Sequence, residues 1–207
     1  MLKKLSEYAR KKPLESGCWC YVLLTVVPGV LVGAEDRYVE EVVFRYLLPA
    51  AAAFAVAVRC YGARADALGL KGFGWSVLYS SPIAGLCLVN LIVGNAPEAI
   101  RPEQLLWVLC CALGEEILGR MLLFHSILAG ARDREWGPRM SIVLAGVVFG
   151  LMHAVNYAAQ GAVGTILQCC YTAGTGMLLA WSYQKSGCLW GGILWHALLN
   201  FTGLLFQ

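Results

Sequence analysis

Runs of Leu, Val, Ala, Ile and Trp, each ended by a short polar or Gly/Pro stretch, recur along the whole chain. A helix needs about 20 mostly apolar residues to cross a bilayer. The runs at 18–34, 38–59, 74–94, 104–128, 141–158, 163–184 and 188–206 approach or exceed that length and predict about seven spans. The breaks fall where the chemistry turns polar: Glu35-Asp36-Arg37, the segment 59–72, Asn95 to Glu103 with Pro97 and Pro102, the segment 130–140, and Lys185-Ser186-Gly187. Gln160-Gly161 is the slightest break and reads equally as a bend. The pattern predicts an all-α fold, a polytopic transmembrane helix bundle. Residues 1–103 would supply three N-terminal spans and residues 104–207 about four more.

The distribution of Lys and Arg orients this bundle. With a cytoplasmic N-terminus, Lys3, Lys4, Arg10, Lys11, Lys12, Arg59, Arg64, Lys71, Arg132, Arg134, Arg139 and Lys185 all fall on the inner side. The outer loops then hold only Arg37 and Arg101, as the positive-inside rule requires. The basic start before the first apolar run resembles a signal peptide, but no small-x-small cleavage site follows, so a retained first span is expected. Gly29-x-x-x-Gly33 and Gly146-x-x-x-Gly150 suit close helix packing.

Composition agrees with a membrane partner. The chain is 59% hydrophobic and 14% charged, with a mean hydropathy of +0.65; soluble domains are about 45–50% apolar and about 25% charged. A net charge of +3 without a basic stripe gives no footprint for nucleic acid. Most of the nine cysteines lie within apolar runs, so they read as small packing residues and not as a disulfide framework.

Against this background the buried-looking ionisable residues stand out. Each costs at least about 2.5–3.5 kcal/mol at the centre of a membrane helix. Two stretches share a Glu-Glu-three-residues-Arg spacing, Glu40-Glu41 to Arg45 and Glu115-Glu116 to Arg120. The first pair adjoins the polar Glu35-Asp36-Arg37 break and reads as an interfacial helix start. The second lies roughly 18 Å inside its span at 1.5 Å per residue. His153, and the pair His196 and Asn200, reach similar depths on two other spans. Residues at i and i+4 share a helix face, so Glu116 with Arg120, Phe149 with His153, and His196 with Asn200 each point one way. Three helices can thus aim a carboxylate, two imidazoles and an amide at one midplane cavity. The bland alternative is a polar cluster that locks three helices together.

Those residue types suit hydrolysis by an activated water. Glu115 beside His153 can hold and deprotonate the water. Arg120 can pair with Glu116 and leave Glu115 free, and Gly119 would leave room for substrate. His196 and Asn200 can donate to a developing oxyanion, an effect worth about 2.7–4 kcal/mol per donor. There is no G-x-S-x-G elbow and no H-E-x-x-H. Ser126 and Ser141 fall near helix ends without an obvious base, and His125 reads as an interfacial side chain. No cofactor is required. A thiol nucleophile from Cys110 or Cys111, and a zinc site built from Glu115, His153 and His196, stay open as alternatives.

The ordered trio Glu115-Glu116-x-x-x-Arg120, Phe149-x-x-x-His153 and His196-x-x-x-Asn200, over residues 104–206, resembles the CPBP family. This is the group of CAAX proteases and bacteriocin-processing proteins, also called Abi, which includes the type II CAAX prenyl endopeptidases. The resemblance implies a glutamic-type intramembrane protease. In that analogy Glu115 and His153 activate the water, His196 and Asn200 support the oxyanion, and Glu116, Arg120 and Phe149 are supporting. It also implies a lipidated or membrane-anchored peptide substrate; the compact chain without a eukaryotic-looking extension suggests a bacterial inner membrane as the setting. In many relatives an aromatic residue precedes the arginine; here Gly119 does, while Phe44-Arg45 of the first stretch matches better. A non-catalytic immunity or scaffold protein of the same fold, and a proton- or metal-coupled transporter, are the competing readings.

Overall fold

The computed structural model describes residues 2–32, 41–94, 100–131 and 133–204. Among them every regular element is helical, as the apolar periodicity predicts. The expected break at Glu35-Asp36-Arg37, together with Gly33, Glu40 and Arg132, lies outside the described residues. In chain order the helices are α1 (Leu2–Lys11), α2 (Pro13–Val32), α3 (Glu41–Tyr61), α4 (Phe73–Ser80), α5 (Ile83–Val93), α6 (102–130), α7 (Gly137–Leu151), α8 (Tyr157–Ser186) and α9 (Trp190–Gly203).

Helix α6 is the axis of the molecule. Its centre, Ile117–Phe124, is a wide π-helical segment in which every residue is buried. Leu118, Met121, Leu122, Leu123 and Phe124 fill the core, and α3 meets them with Ala50, Ala53 and Ala57, whose small side chains let the backbones approach. Trp136 caps α7, and Pro138 in the first turn starts it.

Helices α7 and α8 fold back on one another. A Cβ on Gly146 would run into Met177 and the Ala173 carbonyl, and one on Gly150 into Ala173 and the Cys169 carbonyl. The predicted small-residue motif is therefore where these two helices touch. The reversal uses two devices: a tight 3₁₀ stretch, Met152–Asn156, and Gly161, whose φ of 68° is open to glycine at little cost. The expected span 141–158 thus ends early, at Leu151. Gly161 falls at the expected Gln160-Gly161 bend, whereas the 3₁₀ stretch carries too little polarity to show in a hydropathy pattern. The expected span 74–94 also differs: α4 and α5 meet at a bend of 53° beside Pro82, which cannot continue a helix's hydrogen bonds.

Among the described residues two helical stretches are long and apolar enough to cross a membrane, Glu41–Tyr61 and the bent Gly137–Ser186, or three if the bent α4–α5 pair is one span. Helix α6 falls outside that group although it is long, because Glu103, Glu115, Glu116 and Arg120 dilute it.

The start of α9 is tied down firmly. Trp190 Nε1 donates to the Leu68 carbonyl at 2.6 Å, Leu189 N to the Ala67 carbonyl at 3.0 Å, and Ser76 Oγ to the Cys188 carbonyl at 2.8 Å. Trp195 Nε1 reaches the Val77 carbonyl at 3.0 Å. Gly191 lies directly on the backbone of Ser76 and Val77. Gly191→Ala should therefore force α4 and α9 apart and destabilise the protein by about 1–3 kcal/mol, as overpacking does. Thermal unfolding in detergent checks this, and an unchanged midpoint would contradict the packing described.

Candidate active site

Adjacent glutamates on α6 face different surroundings, because successive helical residues are rotated by about 100°. Glu116 points into the protein with 1% of its side chain accessible, whereas Glu115 keeps 26% and faces a cavity. Arg120, one turn on, is fully buried and donates from Nη2 to Glu116 Oε1 at 2.9 Å. The same oxygen lies 2.9 Å from His196 Nδ1 on α9. An ionised carboxylate only accepts, so this nitrogen carries the proton and His196 Nε2 is left to face Glu115 Oε2, 3.6 Å away.

Phe149 of α7 organises the centre. Its ring lies 4.8 Å from the Arg120 guanidinium, 6.2 Å from the His196 ring and 5.2 Å from the His153 ring, the last two edge-on. Gly119 and Gly176 lack side chains where the ring passes between them. Gly119 thus seats Phe149 and does not line the cavity, contrary to the expectation that it clears room for substrate. Arg120 Nε and Nη1 have no hydrogen-bond partner among the described residues. The aromatic face supplies the contact that remains to that buried cation.

His153 sits in the 3₁₀ turn after α7, not within a continuous helix. It still reaches back one turn, with Nδ1 3.0 Å from the Phe149 carbonyl. A carbonyl accepts only, so Nδ1 donates and Nε2 is the basic nitrogen. Asn200, one turn beyond His196, lies with Nδ2 3.7 Å from Cys111 Sγ, and that thiol donates to Glu115 Oε1 at 3.3 Å.

Glu115, His153, His196 and Asn200 all line one cavity of about 570 Å³. That is the size of small-molecule and peptide-binding clefts. The structure brings together the residues singled out in the sequence and divides them into two groups: Glu116 and Arg120 form a buried support, and the other four face the cavity around Phe149. Among the described residues no three of His, Cys, Asp and Glu stand close enough together to hold a metal ion, so the zinc set is not assembled here. Ser126 and Ser141 donate to the Leu123 and Gly137 carbonyls, at 2.8 Å and 2.6 Å, and lie away from the cavity. His125 Nε2 lies 3.1 Å from the Tyr183 hydroxyl, and the ring does not line the cavity.

Cys111, one turn before Glu115 and kept open in the sequence as an alternative nucleophile, lines the cavity. Arg45 and Tyr46 of α3 also line the cavity, which corrects the reading of the first glutamate stretch as purely interfacial. Glu41 pairs with Arg45 at 2.7 Å, while Glu40 lies outside the described residues. Cys111→Ala removes one hydrogen bond to Glu115 and should lower any Glu115-dependent rate about fivefold to tenfold, with Cys111→Ser restoring it. A loss of all activity in both variants would point instead to a thiol nucleophile.

The fold and site define an all-helical membrane protein with an acid–base cluster around an internal cavity. Residues 97–202 match the family described as type II CAAX prenyl endopeptidase Rce1-like, and the chain belongs to that family. Comparison with curated proteins and with solved structures found no match. Membership supports a membrane-embedded protease at the family level and fits a membrane-anchored substrate.

Proposed function

We propose that the protein is an intramembrane endopeptidase that hydrolyses a peptide bond of a lipidated or membrane-anchored substrate with a glutamate-activated water. The observation that carries this reading is the convergence of Glu115, His153, His196 and Asn200, from three separate parts of the chain, on one cavity. Glu115 and His153 Nε2 take the proton of the attacking water. His196 and Asn200 face the oxyanion that forms on the scissile carbonyl. The Asn200 amide, and His196 Nε2 once it also carries a proton, are the donors such an intermediate needs. Glu116 fixes the His196 ring through Nδ1, and Arg120 neutralises Glu116. No step requires a metal.

The protein is further read as a multi-pass protein of a bacterial inner membrane, with about seven spans and a cytoplasmic N-terminus. Support comes from the excess of Lys and Arg in alternate loops. Residues 104–207 form the motif-bearing core in this reading, and residues 1–103 supply additional walls, as Arg45 and Tyr46 do.

The test is a cleavage assay in liposomes with prenylated peptides and membrane-anchored peptides, with and without a chelator. Cleavage that survives chelation and needs Glu115 is the expected result. Loss with chelator would move the mechanism to zinc. No cleavage by wild type, with Glu115→Gln still working in cells, would favour a non-catalytic immunity or scaffold role.

A further inference from the structure

The first Glu-Glu-x-x-x-Arg stretch is not used by the hydrolytic mechanism, yet one of its residues enters the same cavity. Gly114 explains how. With no side chain there, the backbone of Tyr46 packs against α6: a Cβ on Gly114 would stand 3.0 Å from Tyr46 Cβ and 3.2 Å from its Cα. Tyr46 is further held edge-on by Trp107, with ring centroids 6.2 Å apart. This contact, at the residue preceding Glu115, fixes the register of α3 against α6 and carries Arg45 to the cavity wall.

Arg45 differs from Arg120 in one decisive respect. Arg120 is sealed off, while Arg45 keeps 37% of its side chain accessible and borders the cavity. Its Nη1 is anchored by Glu41 Oε1 at 2.7 Å. An anchored guanidinium is pre-organised for a planar oxyanion, which it grips through two parallel N–H groups. Among the described residues that line the cavity it is the single Lys or Arg, and Glu115 lines the same cavity. Glu41 offsets its charge within the helix, and the 37% of the side chain that stays accessible leaves its other N–H groups open to a ligand in the cavity.

We infer that Arg45 binds a carboxylate of the peptide substrate and thereby sets which bond reaches Glu115. The inference rests on the peptidase reading for its substrate class. It assigns Arg45 a positioning role, with no part in the chemistry. Two sources of carboxylate are possible, the peptide's C-terminus or an acidic side chain near it.

The experiment measures binding to the Glu115→Gln protein in liposomes, so that no cleavage interferes. Three prenylated CAAX peptides are compared: the free acid, the C-terminal amide, and an amide bearing an acidic final residue. The free acid should bind about tenfold to a hundredfold more tightly than the plain amide, the loss expected for a charge-assisted hydrogen bond. Tight binding of the acidic amide alone would place the carboxylate on a side chain. Arg45→Gln added to this protein should erase the preference. Arg45→Lys should keep part of it and guards against a folding defect. Equal binding of all three peptides with Arg45 intact, or a preference that survives Arg45→Gln, overturns the inference. Failure of the peptidase reading would look different: wild type would cleave none of these peptides while the carboxylate preference persisted.

Discussion

Glu115→Gln should reduce cleavage about a hundredfold to ten-thousandfold, the range over which a positioned general base accelerates a reaction. The substitution keeps the size of the side chain and its oxygen acceptor for the Cys111 thiol, 3.3 Å away in the native protein. Only the capacity to take a proton is removed. The Gln protein should therefore unfold at the native temperature, and peptide binding should be retained. Glu103→Gln, at the exposed first turn of α6, is the matched control and should cleave at the wild-type rate. Cleavage by Glu115→Gln within a few fold of wild type would remove Glu115 from the chemistry.

Arg120→Met should be the most damaging single change to stability, at about 3–5 kcal/mol. Removing one partner of a buried ion pair leaves the other charge without compensation. Here the orphan is Glu116, 1% accessible and then held only by His196. Adding Glu116→Leu should recover most of that loss, because an apolar pair of similar volume has no charge to desolvate. Activity should not return. His196 Nδ1 would have lost the acceptor that orients its ring, so stability and turnover should separate in the double variant. Thermal unfolding in detergent and the liposome assay report the two quantities. A stable single variant would mean that Arg120 does not neutralise Glu116.

Much of this architecture was legible in the chain. The helical class followed from apolar runs, and the three polar pairs followed from i, i+4 spacing, because a helix converts sequence distance into direction. What sequence distance cannot convey is which faces of different helices meet. Hence the sequence could not say which of the adjacent Glu115 and Glu116 holds His196 Nδ1; the α6–α9 packing puts that nitrogen on Glu116. Arg45 was set aside for its place near a polar break, since nothing local announces that Gly114 draws α3 against α6. The turn at Met152–Asn156 was missed for a different reason. It is a change of backbone geometry within residues that remain largely apolar, and hydropathy does not register it.

The pairing within α6 also bears on how the protein is made. Arg120 follows Glu116 by four positions, so the two can neutralise each other as soon as that helix has formed. His196 emerges 80 positions later. When α6 enters the bilayer, the imidazole that will share Glu116 has not yet been synthesised, and the α7 residue Phe149 that will cover Arg120 is also still to come. The internal pair neutralises one of the two glutamates at the centre of that helix before any later helix is present. On the proposed function, competence then arrives late in biogenesis, when α9 docks and His196 joins Arg120 on a carboxylate that was already held.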